Sequence, residues 1–406
     1  MKIGILREGK VPPDKRVPLT PQQCKSLINI YPRLTIVVQP SPFRCFTDDE
    51  YTAKGIALQE DLSDCQVLLG VKEVPVDQLI AGKTYLFFSH TIKKQPYNRK
   101  LLQTILQKEI RLVDYELLTD KQGMRLIGFG RYAGLVGSYN GIRTYGKRYN
   151  RFELKPAHLC ADMNEMRKEL KAVKLPPFKI AVTGTGRVAN GVMEIMEEAG
   201  ITRVSIAEYL SQDQFEEAVY VQLAPGDYNI HKEGMPFDLM HFFNHPHEYD
   251  GNFKRFCPQT DLLISAAYWD PKAPVLFTRE DMRADDYRIK VIADITCDIE
   301  GSIPSTLRAT TIDEPSYDYN PGSGLEEVAF SDDQNITVMA VDNLPCELPK
   351  DASHGFGNRL MNRIMPNIIG PDRNQLIQQA TIAEDGELTP RFAYLADYVA
   401  ENHFSG

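Results

Sequence analysis

Apolar and polar residues follow each other along most of this chain in the spacing of short strands and amphipathic helices. The most informative stretch is 178–200, where the apolar run 180–182 leads into a turn that contains Gly184 and Gly186. Beyond the turn, apolar residues recur at i, i+4, i+7, i+8 and i+11, which is the spacing of a helix with one buried face. Gly200 stands where a left-handed residue would end this helix. The pattern predicts a strand, a glycine turn and a helix in succession.

This succession is typical of folds that bind dinucleotides. Glycines let the backbone approach a pyrophosphate, and the free N–H groups at a helix N-terminus attract its negative charge. Ala189 occupies the third glycine position, a variant that the motif allows. A second apolar run at 204–206, predicted as a strand, leads to Glu208, about 20 residues after the turn, where a carboxylate would bind the ribose 2′-hydroxyl. The alternative is an ordinary strand–helix–strand unit, but the agreement of glycines, helix and acid favours a cofactor site.

Three predicted strands in the first part of the chain end in polar residues. These ends are Lys72 and Glu73 after the run 67–71, Ser89 and His90 after the run 85–88 with Lys93 close behind, and Asp114 to Glu116 after the run 111–113. In a parallel sheet, ligands bind outside the carboxyl ends of the strands. The pattern therefore predicts a lysine, a histidine and acids along one sheet edge, although strands also end in polar residues wherever loops are exposed.

Two helices are predicted in this part of the chain. Thr20 and Pro21 are an N-cap and a first helical residue ahead of a helix over 22–29. A second helix begins near Tyr132, and its small residues Gly134, Gly137, Ser138 and Gly141 recur at three and four. Each glycine costs about 1 kcal/mol in a helix interior, so we expect a close neighbour on that face. The neighbour is either a packing partner or, as an alternative, part of a hinge between domains.

The segment 209–260 is predicted to be a long insertion. It contains His241, His245 and His247, which raises the question of a metal site. Pro246 and the surrounding polar residues indicate a loop, and neither a cysteine nor an ordered spacing of acids accompanies the histidines. The sequence therefore predicts no metal site here.

Further strands are predicted at 262–266, 291–294 and 337–341. Each ends in small or polar residues where a nicotinamide could lie, namely Ala266 with Tyr268, Asp294 and Asp342. Helical segments at 360–364 and 391–399 are expected to return to the first domain.

Composition narrows the class of protein. A length of 406 residues favours two domains, and 43% hydrophobic with 25% charged residues is typical of soluble proteins. The net charge of −9 argues against nucleic-acid binding, and no apolar run reaches the length of a membrane span. Seven cysteines without a C-x-x-C pair favour reduced thiols. With a strand predicted at the first residues, we expect no signal peptide and a cytoplasmic protein.

Several segments resemble one family. They are GVKEVP around Lys72, KTYLFFSHTIK around His90, EIRLVDYE ending at Glu116, FGRYAG at 129–134, HPHEYDGNFKRF in the insertion and AVDNLPCELPKDAS at 340–353. The chain is similar to the lysine–ketoglutarate reductase half of aminoadipic semialdehyde synthase and to the fungal L-lysine-forming saccharopine dehydrogenases. More distantly, it resembles alanine dehydrogenase and the NAD-binding subunit of transhydrogenase.

The resemblance implies roles for individual residues. Lys72 and His90 would be the catalytic acid–base pair. The substrate would be bound by Arg16, Glu73, Lys93, Glu116 and Arg125, of which Glu73 and Glu116 also tune the pair and the arginines bind carboxylates. The resemblance implies cofactor contacts at Gly184, Thr185, Gly186, Arg187, Val188, Glu208 and Asp342, and the ends of the predicted strands add Ala266, Tyr268 and Asp294. Val188 replaces a cysteine of the fungal enzymes, and Glu73 matches those enzymes rather than the animal reductase.

The resemblance also implies an α/β fold with two Rossmann-like domains, whose parallel sheets flank a cleft that Lys72 and His90 face. Residues 1–131 with 345–406 would form the substrate domain, and 132–344 the dinucleotide-binding domain inserted into it. The implied activity interconverts L-lysine plus 2-oxoglutarate and saccharopine with NAD or NADP, as a monomer or homodimer. Glu208 favours NAD, because a carboxylate repels a 2′-phosphate. The alternatives are an amino-acid dehydrogenase similar to alanine dehydrogenase and a catalytically silent NAD-binding protein.

Overall fold

Two sheets organise the chain, and each belongs to its own compact unit. The computed structural model describes residues 1–11 and 13–400. Unit 1 comprises Met1–Phe129 and the chain from Pro349, and unit 2 comprises Gly130–Leu348. The domain boundaries expected from the sequence lie a few residues from these, and the part of that expectation at 401–406 is outside the described residues.

The strands and helices alternate along most of the chain. The strands are β1 (Lys2–Ile5), β2 (Thr35–Val38), β3 (Ala57–Leu58), β4 (Val67–Leu69), β5 (Thr84–Phe87), β6 (Arg111–Asp114), β7 (Lys179–Thr183), β8 (Thr202–Arg203), β9 (Val219–Leu223), β10 (Asn229–His231), β11 (Tyr249–Gly251), β12 (Leu262–Ser265), β13 (Val291–Asp294), β14 (Ser316–Tyr319), β15 (Glu326–Glu327), β16 (Ile336–Met339), β17 (Thr381–Glu384) and β18 (Glu387–Leu388). The α-helices are α1 (Pro21–Ile30), α2 (Asp48–Thr52), α3 (Arg99–Gln107), α4 (Gly130–Arg148), α5 (Met163–Ala172), α6 (Arg187–Glu198), α7 (Ile206–Ser211), α8 (Pro225–Tyr228), α9 (Leu239–Asn244), α10 (Pro349–Arg359), α11 (Met365–Ile369), α12 (Leu376–Ala380) and α13 (Ala396–Ala400).

In unit 1, the sheet has the order β18-β17-β6-β5-β4-β1-β2-β3. Strands β1 to β6 are parallel, and the β17–β18 hairpin extends the sheet through an antiparallel pairing with β6. Buried apolar clusters cover both faces of this sheet, as parallel sheets require. The carboxyl ends of β1, β4, β5 and β6 therefore lie along one edge.

In unit 2, the sheet has the order β15-β14-β16-β13-β12-β7-β9-β8. The neighbouring strands β16, β13, β12, β7, β9 and β8 are parallel. Beyond β16, β14 and β15 extend the sheet in antiparallel pairings. The fold class predicted from the sequence, α/β with two Rossmann-like parallel sheets, is confirmed.

Helix starts predicted from the sequence are present. Thr20 accepts a hydrogen bond from the Gln23 backbone, the Gln23 side chain accepts one from Thr20, and Pro21 is the first residue of α1. Helix α6 follows the glycine turn, and Gly200 has a φ of +67° just beyond its end.

The glycine face of α4 packs against α6. A Cβ at Gly134 would lie 1.9 Å from the backbone carbonyl oxygen of Val188, and one at Gly191 would lie 2.1 Å from that of Arg131. The two helix backbones thus approach more closely than any side chain permits. The face therefore has a packing partner within unit 2.

Two predictions for the region after α6 are wrong. Residues 204–206 are not a strand, because Ser205 caps α7 and β8 ends already at Arg203. The segment 209–260 is not wholly an insertion, because it contributes β9 to the main sheet directly beside β7.

The described residues contain no helix that combines the length and apolar character needed to cross a bilayer. All seven cysteines carry free thiols.

Candidate functional site

The polar residues that follow adjacent strands of unit 1 meet at one edge of its sheet. Lys72 and Glu73 follow β4, His90 follows β5 and Glu116 follows β6, and these strands are parallel neighbours. Nδ1 of His90 lies 2.5 Å from Oε1 of Glu73. The register of the sheet therefore brings together side chains that are far apart in sequence.

His90 is oriented by the Glu73 carboxylate. When Nδ1 donates its proton to Glu73, Nε2 is the ring nitrogen that remains for proton exchange. The His90 side chain is 20% exposed, so a ligand can reach it. Burial alone would raise the pKa of Glu73, but the hydrogen bond and charge of His90 lower that pKa to about 2. Glu73 thus stays ionised and orients the imidazole.

Lys72 lies in surroundings that favour its neutral amine. Burial is the main cause of its lowered pKa, and the charges of Arg16 and Lys10 add to the effect. A lowered pKa increases the fraction of neutral amine that can accept a proton.

Glu8, which follows β1, belongs to the same edge and was not predicted as a site residue. Its carboxylate accepts hydrogen bonds from the backbone N–H of Val71 at 2.6 Å and of Lys72 at 2.8 Å. Burial and the nearby Asp14 carboxylate raise the pKa of Glu8 to about 8. The sequence did carry a signal, because the polar run after β1 follows the same rule as those after β4, β5 and β6.

The raised pKa of Glu8 predicts a pH-dependent stability. Between about pH 4.5 and about pH 8 the unfolded chain ionises this carboxyl while the folded chain keeps its proton, so stability falls as pH rises. Replacing Glu8 by Gln removes this titration. We expect the difference in free energy of unfolding between about pH 5 and about pH 8 to shrink by about 1–3 kcal/mol, measured by urea denaturation. Glu197→Gln, at an exposed position, is the matched control; an unchanged difference in Glu8→Gln would contradict the assignment.

Glu116 is buried and paired with two cations. Its Oε1 lies 2.5 Å from the Arg125 guanidinium and 3.9 Å from Nζ of Lys93, while its Oε2 is buried without a hydrogen-bond partner. The Arg125 side chain is 55% exposed, so part of its guanidinium remains accessible to a ligand. Both cations are suited to bind a carboxylate.

Arg16 is less available than the sequence suggested. It is 3% exposed and forms a two-point ion pair with Asp14, with Nε to Oδ1 at 3.0 Å and the second contact at 2.5 Å. Its guanidinium also lies 4.1 Å from the ring centre of Phe129. The structure thus places Arg16 in a buried ion pair within unit 1.

The glycine turn of unit 2 leaves room for a close ligand. Gly184 has a φ of +101°, and a Cβ there would lie 2.9 Å from the backbone oxygen of Ala266, so glycine is required. Gly186 is the N-cap of α6, and a Cβ there would meet nothing within 4 Å. Thr185 and Gly186 are exposed, while Arg187 and Val188 are half-buried. The open turn and the N–H groups at the start of α6 fit a pyrophosphate.

A cavity of about 400 Å³ lies at the carboxyl ends of β7 and β12. Thr183 and Ser265 from these strands line it, together with aromatic residues that include Tyr228, Phe242 and Tyr268. A dinucleotide lies across the carboxyl ends of such strands. The size and aromatic walls of the cavity fit the adenosine half of a nicotinamide cofactor.

Two of the predicted cofactor contacts, Glu208 and Asp294, are hydrogen-bonded within the protein and stay predictions. Glu208 is the third residue of α7 and is bonded to Ser205 in a capping box, not at the end of a strand beside β7. Asp294 is 1% exposed, and its carboxylate accepts bonds from Thr296 and Thr306. Both carboxylates thus accept hydrogen bonds from residues that are close to them in the sequence. Asp342 is exposed after β16, and nothing in the structure assigns it a ligand.

The fold defines the class of this protein as Rossmann-like α/β, with a strand–glycine turn–helix succession in one of its two sheets. Residues 4–136 match the family described as alanine dehydrogenase/PNT, N-terminal domain, and residues 172–390 match its C-terminal domain. The chain therefore belongs to the alanine dehydrogenase/PNT family.

Curated relatives confirm the resemblance read from the motifs. The chain is 31% identical to alpha-aminoadipic semialdehyde synthase of Arabidopsis thaliana over 97% of its length and 41% of the relative, and 29% identical to the mitochondrial Bos taurus protein of that name over 97% and 47%. It thus spans less than half the length of these relatives. It is 26% identical to saccharopine dehydrogenase [NAD(+), L-lysine-forming] of Emericella nidulans over 90% of this chain and 91% of that one.

Solved structures share the fold. An L-alanine dehydrogenase superposes with a TM-score of 0.65 at 16% identity, covering 98% of this chain and all of that one. A transhydrogenase from Sinorhizobium meliloti superposes with a TM-score of 0.61 at 16% identity, covering 95% and 98%.

Proposed function

We propose that this chain is a nicotinamide-dependent oxidoreductase that interconverts L-lysine plus 2-oxoglutarate and saccharopine. The observation that carries the proposal is the pairing of His90 with Glu73 beside Lys72, whose pKa is lowered. The relatives named saccharopine dehydrogenase and alpha-aminoadipic semialdehyde synthase support this reaction over others of the family.

The reaction needs proton transfers at two stages, and the two groups suit them. An imine must form between the lysine amine and the keto carbon of 2-oxoglutarate, with loss of water, before its carbon is reduced. His90 can donate and accept a proton through Nε2 as water is lost, because its Nδ1 is bound to Glu73. Lys72 can take the proton that the substrate amine releases on the way to the imine. The two proton transfers can also be assigned the other way round, with Lys72 acting as water is lost and His90 on the amine.

The substrates carry carboxylates, and unit 1 supplies cations for them. Arg125 and Lys93 flank Glu116, and Arg125 is exposed enough to bind a carboxylate in two-point fashion. We assign these two residues to the dicarboxylate. Arg16 is already bonded to Asp14, so we do not assign it to the dicarboxylate.

The cofactor is a nicotinamide dinucleotide, which supplies or takes up the hydride when bound. The turn Gly184–Gly186 and the start of α6 would hold its pyrophosphate, and the aromatic cavity its adenosine half. These residues fit the pyrophosphate because glycine is required at 184 and because the space beside Gly186 is open to an approaching ligand.

The preference for NAD was expected because of Glu208, but the position of Glu208 in α7 no longer supports that expectation. In dinucleotide folds the acid that binds the ribose follows the strand beside the glycine-turn strand, which here is β9, ending at Leu223 and followed by Ala224. We therefore expect Glu208→Ala to change the ratio of NADH to NADPH dissociation constants by less than about twofold. Ala224→Asp is expected to weaken NADPH selectively, since it adds a negative charge at the strand end. Fluorescence titration with both cofactors checks this; a large change in Glu208→Ala alone would contradict it.

The rival within the family is amination of a small keto acid by ammonia. An assay of reduced cofactor with 2-oxoglutarate and a panel of amino acids, beside pyruvate with ammonia, separates the two. We expect oxidation of the cofactor with lysine and 2-oxoglutarate. Oxidation only with pyruvate and ammonia would replace the proposed reaction, and none with any pair would favour a silent NAD-binding protein.

The free thiols agree with a reducing compartment such as the cytoplasm.

A further inference from the structure

Two histidines and a glutamate converge in the segment between β9 and β12. His231 is the last residue of β10, His241 lies on α9 and Glu248 directly precedes β11. One ligand atom of each lies within 4.8 Å of the other two. Oε2 of Glu248 is 3.7 Å from Nε2 of His231 and 3.6 Å from Nε2 of His241.

Local structure positions each of these side chains. The antiparallel pairing of β10 with β11 places His231 opposite Tyr249. Glu248, the residue before Tyr249, therefore lies beside His231. Asp238 caps the start of α9 by accepting a bond from the His241 backbone. The sequence predicted no metal site because no cysteine and no ordered spacing of acids accompanies His241, His245 and His247. The hairpin of β10 and β11 brings His231 and Glu248 close to His241.

A buried ring nitrogen points at this cluster. His231 is 4% exposed, and its Nε2 has no hydrogen-bond partner. A buried polar atom without a partner is costly unless a ligand completes it. We propose that His231, His241 and Glu248 form a binding site for a divalent metal of the zinc class, with an open fourth position for water.

The donor set fits zinc better than calcium or magnesium. Two imidazoles and one carboxylate are ligands that zinc accepts in tetrahedral sites, whereas calcium and magnesium require oxygens. Nδ1 of His241 lies 3.1 Å from the hydroxyl of Tyr249, a second partner of the kind that orients metal-bound histidines.

Metal binding must move a proton on His231. Its Nδ1 accepts a bond from the Glu233 backbone at 3.1 Å, so the neutral ring carries its proton on Nε2. A metal on Nε2 requires that proton on Nδ1, and the Glu233 contact must then open. The exposed turn at 232–234, with Gly234 at a φ of +74°, lets the freed N–H turn to water. Zinc binding therefore alters this turn.

The metal would have a structural consequence. It would join β10, α9 and the residue before β11, and α9 carries Phe242, which lines the aromatic cavity of unit 2. A bound metal is expected to raise the melting temperature, because it binds the assembled site of the folded chain more tightly than the unfolded chain. This inference does not depend on the proposed reaction.

Titration of the chelator-treated full chain with zinc, in competition with a chromogenic chelator, tests the site. We expect one zinc per chain, and about 100-fold weaker binding in His241→Ala and in Glu248→Gln, since even partners of metal ligands are worth 10–100-fold. His354→Ala, which removes an exposed histidine of unit 1, is the matched control and should bind as the wild type does. Circular dichroism checks that each variant is folded.

X-ray absorption at the zinc edge identifies the ligands independently of affinity. The expected shell contains two imidazoles and oxygen. Sulfur in the shell would show that a cysteine binds the metal, and would overturn the site. Equal affinity in His241→Ala, Glu248→Gln and the control would overturn it as well, because the zinc would then be held elsewhere on the surface.

Discussion

Replacing Lys72 by Met or His90 by Gln is expected to lower turnover of lysine and 2-oxoglutarate by about 10²–10⁴-fold each, with little change in cofactor affinity. General acids and bases contribute this much, which is about 3–5 kcal/mol of barrier. Both residues belong to unit 1, whereas the glycine turn and the aromatic cavity belong to unit 2. Steady-state kinetics and fluorescence titration of the reduced cofactor measure the two effects separately.

Exposed residues of the same type provide the controls for these variants. Lys54→Met and His354→Gln should keep wild-type turnover, because both side chains are exposed. The double variant Lys72→Met with His90→Gln should lose less than the product of the single losses, since the two groups serve one proton-transfer sequence. Each single variant should also lose one limb of the pH profile. Wild-type turnover in both single variants would refute the acid–base assignment.

Gly134→Ala is expected to reduce the free energy of unfolding by about 3 kcal/mol or more, despite the higher helix propensity of alanine. The added methyl would lie 1.9 Å from the Val188 carbonyl oxygen, which is backbone and cannot yield without separating α4 from α6. The displacement also moves the start of α6, so cofactor affinity should fall with stability. Urea denaturation and cofactor titration measure both.

Gly130→Ala is the control for this packing effect. It lies on the same helix, but its added methyl would meet Val188 Cγ2 at 3.5 Å, an ordinary contact. We expect it to change stability by less than about 1 kcal/mol. Equal losses in Gly130→Ala and Gly134→Ala would mean that glycine matters there for another reason than the approach of the helices.

Local patterns predicted the elements that depend on local signals. The strand before Gly184, the turn and α6 were located because periodicity and glycines all lie within one short stretch. Strand β9 was missed because its place beside β7 depends on pairing with a distant strand. The apolar run at 204–206 resembled a strand, but Ser205 caps a helix there, and capping outweighs a short apolar run.

The sequence predicted those residues of the site that lie at the ends of strands. Lys72, Glu73, His90 and Glu116 were found because parallel neighbours end at one edge. The roles of those residues stay predictions. The bond that the Lys72 backbone N–H donates to Glu8 and the ion pair of Arg16 with Asp14 were missed, since they depend on side-chain contacts. The same holds for the cluster of His231, His241 and Glu248, which the hairpin of β10 and β11 assembles.

The most direct test of the proposed reaction follows the hydride itself. The enzyme is given lysine, 2-oxoglutarate and a reduced cofactor that carries deuterium at the transferable position, and the products are analysed by mass spectrometry. We expect saccharopine that is one mass unit heavier, with deuterium on the carbon that was the keto carbon of 2-oxoglutarate. Absence of labelled saccharopine would contradict the proposed reaction, and labelled alanine from a parallel reaction with pyruvate and ammonia would favour the rival.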